Sequence, residues 1–483
     1  MHFAALGRIL GMLLMLFSLT QVPPLLIALY DGGEASYSFS LALSITLLTG
    51  LCIWYPLRNR REELRVRDGY VLTASFWFVL ASFGAMPFYL SLRPEMSLVD
   101  SIFEAFSGLS TTGATVLTGI DSLPRAILYY RQQLQWLGGM GIVVLAVAIM
   151  PMLGVGGMQL YRSEIPGPVK DNKLSPRIAD TAKTLWIIYC GLTVLCALAY
   201  AIAGMSWFDA IGHSFSTIAI GGFSTHDASI GYFDSVAIEL IAVFFMVLSG
   251  MNFGLHFLAL RSRSLKAYFK DPECMAFVKI LGTTVLITFI VLVLYNHYNN
   301  PMLTLRHALF QVVSVASTTG FSVTDFSGWP SFLPYLLLYT AFIGACAGST
   351  GGGMKVMRIM LLFRQGQREI QRLLHPNGVF MVKLGKRTVP DRVIEAVWGF
   401  SAVYLLTFFV LMMALLACEL DPITAFSTLA SCMNNLGPAL GDASLHYAEL
   451  PSSAKLILSF AMILGRLEVF SLLILFTPAF WRY

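Results

Sequence analysis

A gap-free pattern of 19 residues occurs four times in this chain, and this repetition constrains the fold more than any other sequence feature. The copies are LVDSIFEAFSGLSTTGATV from Leu98, WFDAIGHSFSTIAIGGFST from Trp207, LRHALFQVVSVASTTGFSV from Leu305 and PITAFSTLASCMNNLGPAL from Pro422. The tenth column always holds serine, at Ser107, Ser216, Ser314 and Ser431. The sixteenth column always holds glycine, at Gly113, Gly222, Gly320 and Gly437. Successive glycines are 109, 98 and 117 residues apart, so we interpret the chain as four copies of one unit.

The composition places these units in a membrane. Of the 483 residues, 57% are hydrophobic and 12% are charged, whereas an ordinary soluble protein is about 25% charged. Apolar runs that approach the length needed to cross a bilayer core recur along the chain, for example LALSITLLTGLCIWYPL from Leu41. The first run, residues 9–30, lacks a small-residue cleavage site and is predicted to be a retained span. The sequence thus predicts an all-α polytopic membrane protein.

Basic residues predict the orientation of the spans. Twenty-four of the 32 Lys and Arg residues lie in four polar segments: 58–67, 162–183, 261–279 and 355–392. The positive-inside rule places these segments in the cytoplasm, together with both termini, which carry Arg8 and Arg482. The net charge of +5 therefore reflects topology, and we expect no nucleic-acid partner because no basic soluble domain is present.

Each repeated window is too short to span a bilayer as a helix, because a helix rises only about 1.5 Å per residue. We interpret it as a short re-entrant helix that enters from the outside and ends in a glycine-bearing loop at mid-membrane. Non-helical backbone at that depth must be buried in protein or line a water-filled cavity. Four such loops around one axis would present carbonyls that replace the hydration shell of a cation. The alternative is four ordinary helix-ending glycines without a pore.

Five stretches carry a resemblance to a known family: GLSTTGATV, TIAIGGFSTHDASIGYFDS, ACAGSTGGGMKVMR, NNLGPALG and GRLEVFSLLILFTPAFW. From end to end, the chain resembles the Trk/Ktr/HKT superfamily of potassium transporters, and within it the bacterial TrkH subunit. The resemblance implies ten spanning helices: two in an N-terminal domain, and the rest in four pseudo-symmetric repeats of helix, pore helix, filter loop and helix around one pore. The predicted domain and repeats are 1–66, 67–160, 161–262, 263–375 and 376–483.

The resemblance also implies the residues of a K⁺ filter. Its carbonyls would come from Thr111, Thr112 and Gly113; Ile220, Gly221 and Gly222; Thr318, Thr319 and Gly320; and Asn435, Leu436 and Gly437. The second and fourth loops lack the Thr-Thr pair, so we expect a chemically uneven ring. In this interpretation K⁺ is the transported ion.

The same resemblance implies the surroundings of the chain. We expect a multi-pass protein of the bacterial inner membrane, with lipid contacts and both termini cytoplasmic, that forms a homodimer. A TrkA-type cytoplasmic ring would bind the regulatory nucleotide, because this chain has no nucleotide-binding domain of its own. Nine Lys and Arg residues in 355–392 predict a docking surface for that ring; anchoring to anionic lipid headgroups is the alternative.

The segment GACAGSTGGGMK, from Gly344 to Lys355, interrupts an apolar run with five glycines, which disfavour helix. It lacks the residue order of a phosphate-binding loop. Close helix packing through small residues would explain it, but the resemblance favours a flexible gating loop, 344–353, below the filter. The predicted gating residues in it are Gly344, Gly348, Ser349, Thr350, Gly351, Gly352 and Gly353.

Arg466 lies within the last apolar run, where an ionisable side chain is costly and is a candidate for function. A cation in the wall of a pore would repel K⁺, so we predict that Arg466 acts with the gating loop. The alternative is a structural role, in which Arg466 pairs with Glu468 or with a backbone carbonyl.

The function predicted from these features is K⁺ uptake that is gated by the loop and by Arg466. The alternatives are a K⁺ symporter coupled to H⁺ or Na⁺, and a membrane protein without transport function. An enzyme is disfavoured because the chain contains no H-E-x-x-H, no G-x-S-x-G and no pair of spaced intramembrane aspartates. Four further polar residues are expected in a vestibule or in loops rather than as ligands: Glu104, His213, His226 and Asp227.

Overall fold

The computed structural model describes residues 2–33, 35–59, 65–139, 141, 178–330, 332–385, 387–467 and 469–482. Within these ranges the regular secondary structure is helical except for one hairpin, in which β1 (Lys383–Leu384) pairs antiparallel with β2 (Arg387–Thr388). The predicted boundary at 160/161, most of the basic segment 162–183 and Glu468 lie outside the described residues.

Two helical spans precede the repeats. Helices α1 (Phe3–Leu19) and α2 (Val22–Tyr30) together form the first span, and α3 (Ser36–Leu57) forms the second. The spans cross closely where Gly11 faces Gly50: a methyl group on either glycine would lie 2.8 Å from the carbonyl oxygen of the other. Small residues at such crossings allow helices in a membrane to approach closely.

The remaining helices follow one order four times: a first helix, a short helix, a loop and a second helix. In the first two units these three helices are α4 (Val66–Gly84), α6 (Leu98–Leu109) and α7 (Arg125–Gly139), then α8 (Ile178–Ile202), α9 (Trp207–Ala219) and α10 (Val236–Gly250). In the last two units they are α13 (Pro272–Leu294), α14 (Pro301–Ala316) and α15 (Leu333–Ile343), then α17 (Asp391–Leu416), α18 (Pro422–Met433) and α19 (Ser452–Arg466). Connecting helices are α5 (Met86–Tyr89), α11 (Phe253–Ser262), α12 (Lys266–Lys270), α16 (Val356–Leu374), α20 (Phe470–Leu473) and α21 (Pro478–Trp481).

Six helical stretches among the described residues are long and apolar enough to cross a membrane: Phe3–Tyr30, Ser36–Leu57, Arg67–Tyr89, Lys183–Ile202, Pro272–Leu294 and Asp391–Leu416. Helices α10 and α11 qualify only together, and they meet at an angle of 96°. The helices in the repeated windows are shorter than any of these six stretches, as predicted for elements that enter the membrane without crossing it.

Side-chain caps set where the four short helices begin. Ser97, Ser206 and Asp421 occupy the position just before their windows, and each accepts a hydrogen bond from a backbone N–H in the first turn. In the third unit Asn300 is the cap, and α14 begins at Pro301, four residues ahead of its window. Three of the four short helices therefore begin at the first residue of their window, and the third begins one turn earlier.

The units pack in a closed cycle. The second helix of each unit packs on the short helix of the next: α7 on α9, α10 on α14 and α15 on α18. The cycle closes because α19, at the end of the chain, packs on α6 of the first unit. This arrangement confirms the predicted fold class, in which four repeats surround one axis.

Candidate cation pathway

The four loops after the short helices share one unusual backbone conformation. The fourteenth column has a positive φ in every copy: 59° at Thr111, 55° at Ile220, 66° at Thr318 and 54° at Asn435. The glycine two residues later also has a positive φ: 81° at Gly113, 78° at Gly222, 85° at Gly320 and 99° at Gly437. Residues with a side chain rarely adopt this region, so the loops are held in it by their surroundings.

The same hydrogen bonds brace each loop against its own short helix. The invariant serine of the tenth column accepts, at its carbonyl, the N–H of the fifteenth column at 2.8–2.9 Å. The four donor and acceptor pairs are Thr112 to Ser107, Gly221 to Ser216, Thr319 to Ser314 and Leu436 to Ser431. The serine carbonyl lies at a helix end, where it would otherwise have no hydrogen-bond partner. Because the loop N–H supplies that partner in every unit, the loop turns at the same point in all four.

The loops meet one another in a closed ring. A methyl group added to the glycine of each loop would overlap the fifteenth-column carbonyl oxygen of the next loop in chain order. The contacts run from Gly113 to Gly221, from Gly222 to Thr319, from Gly320 to Leu436 and from Gly437 to Thr112. The structure thus brings all four predicted filter triplets together around one axis, and glycine is required at each junction because no side chain fits.

The helix ends add a favourable potential for cations. Helices α6, α9, α14 and α18 all end immediately before the ring, at Leu109, Ala219, Ala316 and Met433. The C-terminus of a helix carries a partial negative charge of about half an electron. Four such ends at one ring of carbonyl oxygens attract a cation and disfavour an anion.

The predicted gating loop lies against the C-terminal ends of three of the four short helices and the turns that follow them. Its Thr350 hydroxyl donates to the carbonyl of Ile218 at 3.0 Å, and Gly352 N–H donates to the Thr318 hydroxyl at 2.7 Å. Gly353 N–H donates to the carbonyl of Asn434 at 3.2 Å. Because these acceptors belong to the second, third and fourth units, the loop connects the C-terminal ends of three of the four short helices.

Glu273, at the start of α13, binds the backbone of the same loop and of the helix that follows it. One of its carboxylate oxygens accepts the N–H groups of Ala347 at 2.7 Å and of Met357 at 3.0 Å. Just after the loop, the Lys355 ammonium donates to the carbonyl of Gly351. The loop is therefore an ordered segment with defined hydrogen bonds, although glycine makes it a poor helix former.

Arg466, the last residue of α19, joins this loop to the first unit. Its guanidinium donates to the carbonyl of Thr350 at 3.0 Å and to the carbonyl of Gly138 at 2.7 Å. It also lies 5.7 Å from the ring centre of Trp77. The predicted meeting of the arginine and the loop is therefore present, and the backbone-carbonyl bonds of the structural alternative are present as well.

A buried cluster behind the filter had no counterpart in the sequence-based prediction. Arg131 on α7 and Glu104 on α6 form a fully buried ion pair at 2.7 Å. Arg131 also donates to the carbonyl of Ser224 in the second loop at 3.2 Å, and Glu104 accepts the N–H of Val116 at 3.0 Å. Glu104 was expected in a vestibule or loop. It is instead buried in an ion pair with Arg131, and the pair bonds to the backbone of the first and second loops. The sequence signal that could have found this pair is Arg131 itself, an ionisable side chain inside the second helix of a repeat.

The other three polar residues divide between the protein interior and a loop. His213 is buried on α9 and bonds through its ring to the Ser224 hydroxyl at 2.9 Å. His226 and Asp227 lie in the loop after the second filter triplet, where the His226 ring contacts Asp121. Burial raises the pKa of the Asp121 carboxyl, but the hydrogen bond with His226 and other hydrogen bonds outweigh it, so this pKa lies below its usual value.

Comparisons with known proteins agree with this architecture. The family model described as "TrkH: Cation transport protein" matches residues 36–483. The "Trk system potassium uptake protein TrkH" of Halomonas elongata is 60% identical over 475 residues, which cover 98% of both chains. The protein of the same name from Escherichia coli (strain K12) is 56% identical over 482 residues, which cover 100% of both chains.

A solved structure gives the same result for the fold. The crystal structure of the potassium transporter TrkH from Vibrio parahaemolyticus superposes with a TM-score of 0.91 at 51% identity, over 100% of both chains. The relatives are named for transport and not for an enzymatic activity, which confirms the predicted class. The chain belongs to the TrkH family of cation transport proteins.

Proposed function

We propose that this membrane protein takes up K⁺ through the ring of four filter loops. The observation that carries the proposal is the closed cycle of contacts between the glycine of each loop and a carbonyl oxygen of the next. A ring of backbone carbonyls replaces the hydration shell of a permeating K⁺. Backbone ligands also explain why the fifteenth column can hold threonine in two units, glycine in the second and leucine in the fourth.

The proposal includes a gate on the inner side of the ring. The loop 344–353 bonds to Ile218, Thr318 and Asn434, which immediately precede or form three filter loops, and so blocks the exit from the filter. Arg466 holds the loop through Thr350 and adds a positive charge beside the pathway. Opening then requires the loop to leave and the Arg466 guanidinium to exchange its acceptor.

Reconstitution of the purified protein alone tests the proposed function. Sealed vesicles that contain it are expected to take up K⁺ faster than protein-free vesicles, and faster than they take up Na⁺. Imposing K⁺, Na⁺ and pH gradients in turn separates passive flux from symport, because only a symporter moves K⁺ uphill when a second ion runs downhill. Vesicles that do not distinguish K⁺ from Na⁺ would contradict the proposal.

The charge distribution supports a cytoplasmic location for α16 and the hairpin that follows it. The described part of 355–392 includes Arg364 and Arg372 on exposed positions of α16. With this orientation both termini are cytoplasmic and the short helices enter from the outside of the bacterial inner membrane. Family resemblance further supports a homodimer and a TrkA-type nucleotide-binding ring that docks on this surface.

Reversing two charges on α16 tests the docking surface. Arg364→Glu together with Arg372→Glu is expected to weaken binding of the ring about tenfold or more, because two attractive charges become repulsive. Binding is measured on purified protein, with thermal stability as a parallel readout.

Arg368 is unsuitable for that test, although its position in the sequence suggests the same role. It is buried and bonds to Asp391 at the start of α17 at 2.6 Å, so a change there would disturb the fold. Arg368→Glu therefore serves as the destabilising control. Undiminished binding by the Arg364 and Arg372 double variant would place the ring elsewhere.

A further inference from the structure

The filter loops of the first and third units are fastened by a pair of hydroxyl groups that the second unit lacks. In the first unit Ser110 and Thr112 bond to each other at 2.7 Å through their hydroxyls, and in the third unit Ser317 and Thr319 do the same at 2.7 Å. These residues occupy columns 13 and 15 of the repeat. Each pair joins the end of a short helix to the residue whose carbonyl belongs to the ring, and so fixes that residue.

The second unit has no side chain that could form such a pair. Its columns 13 and 15 hold Ala219 and Gly221, and Gly222 follows directly. Two consecutive glycines give the backbone more conformational freedom than any other dipeptide. This loop therefore needs a support from outside its own unit if its carbonyl is to be held as firmly as those of the first and third loops.

Gln135 of the first unit occupies the space that the missing side chain leaves. A methyl group on Gly221 would lie 2.5 Å from the Gln135 Oε1 and 2.8 Å from its Nε2. Gln135 is fully buried on α7, which packs on the short helix of the second unit. Its amide therefore stands where Thr112 and Thr319 place a threonine side chain in their own loops.

Both ends of the Gln135 amide bond to the loop. Nε2 donates to the carbonyl of Gly221 at 2.6 Å, and Oε1 accepts the N–H of Phe223 at 3.1 Å. The opposite orientation of the amide would set oxygen against oxygen and N–H against N–H, so only this one satisfies both partners. The Gly221 oxygen that Gln135 holds is the one that lies against Gly113 in the ring.

We propose that Gln135 is a positioning residue for ion selectivity, which replaces in the second filter loop the hydroxyl pair of the first and third. The inference rests on the proposed function and extends it to a residue of the neighbouring unit. The amide fixes the Gly221 carbonyl against inward movement. A K⁺ ion needs its oxygen ligands at a larger distance than Na⁺ does, so a ring that cannot contract excludes Na⁺.

Removing the amide is the direct test. Gln135→Ala is expected to lower the K⁺ over Na⁺ permeability ratio in vesicles about tenfold, equivalent to about 1.4 kcal/mol, the size of one net hydrogen bond. Gln135→Met, which fills the space without an amide, is expected to give the same loss and covers the case in which the alanine variant does not fold. An unchanged ratio in either folded variant overturns the proposal.

Gln133 supplies the matched control. It lies on the same helix, is also buried, and donates to the carbonyl of Thr20 at 2.9 Å, away from the filter. Gln133→Ala is expected to lower thermal stability without a change in the permeability ratio. An equal loss of selectivity in this variant would mean that any damage to α7 has the same effect, and would overturn the proposal.

A rescue variant separates positioning from general packing. Ala219→Ser and Gly221→Thr, added to Gln135→Ala, give the second loop the hydroxyl pair of the other two. Gly221 has no positive φ, so threonine fits its backbone as it does at Thr112 and Thr319. The triple variant is expected to recover most of the lost ratio; failure to recover it in a folded protein overturns the proposal.

Measurement of the wild-type protein in the same assay distinguishes failure of the proposed function from failure of the role proposed for Gln135. If wild-type vesicles do not prefer K⁺ over Na⁺, the proposed function is wrong and the role of Gln135 falls with it. If the wild type prefers K⁺ and Gln135→Ala does so equally, the proposed function stands and only the role of Gln135 is overturned.

Discussion

Valine in place of Gly113 or Gly320 is expected to abolish K⁺ uptake, or to abolish the preference for K⁺ over Na⁺. Both glycines have a positive φ, 81° and 85°, in which a β-branched residue is strained. A side chain at Gly113 would also overlap the carbonyl oxygen of Gly221, and one at Gly320 that of Leu436. Strain of about 3 kcal/mol corresponds to about a 100-fold effect, before the clash is added.

Gly282 provides the control for this prediction. It lies on α13, is exposed, and has no neighbouring atom within 4 Å of where a side chain would begin. Gly282→Val is expected to leave uptake and selectivity close to those of the parent protein. Normal uptake and normal selectivity in both filter variants would show that the ring does not select the ion.

Neutralising Arg466 is expected to raise basal K⁺ flux. At an effective dielectric constant of about 20, unit charges about 6 Å apart repel by about 3 kcal/mol. Arg466→Gln removes that charge and also weakens the bond to Thr350 that holds the gating loop, so both effects favour opening. Flux up to about 100-fold above the parent is expected in reconstituted vesicles.

Shortening the loop is expected to act in the same direction. Deletion of residues 349–351 removes the Thr350 carbonyl and hydroxyl, which bond to Arg466 and to Ile218. The deletion therefore releases the loop even when the arginine is retained. Raised flux in the deletion variant, which keeps the Arg466 charge, would show that release of the loop is sufficient; unchanged flux would assign the effect to the charge.

Thermal stability measured on the same purified protein separates gating from a structural role. If Arg466 only supports the fold, its loss leaves the carbonyls of Gly138 and Thr350 unpaired, and the variant unfolds without a gain in flux. Higher flux at normal stability supports the gate. Arg125→Gln, at an exposed arginine at the start of α7, is the control and is expected to change neither.

Much of the fold was predictable because it depends on local properties of the chain. The length and apolarity of the spans follow from composition, and the four short helices follow from capping residues and glycines at fixed columns. Positive φ at all four glycines is a local preference that the sequence shows directly. The order of the units in the cycle follows from their order in the chain and from short connections.

The contacts between units were much less predictable. Arg466 and Gly138 are 328 residues apart, and nothing in either segment indicates the other. Glu104 was expected in a vestibule or a loop, because a carboxylate in a short helix gives no sign of the arginine that neutralises it. Arg368 lies in the basic segment 355–392 that predicts a docking surface, but a basic run does not show which of its members faces α17.

The sequence by itself determined that this is a membrane protein of four repeated units, with a glycine at the same turn in each, because these features rest on hydropathy and backbone preference. Only the tertiary structure decided which oxygen each glycine meets and how the glycine-rich second loop is held by Gln135. The physical reason is that a hydrogen bond across units depends on distances and directions that packing alone sets. A buried amide is recognised as a support only when both of its partners are in place.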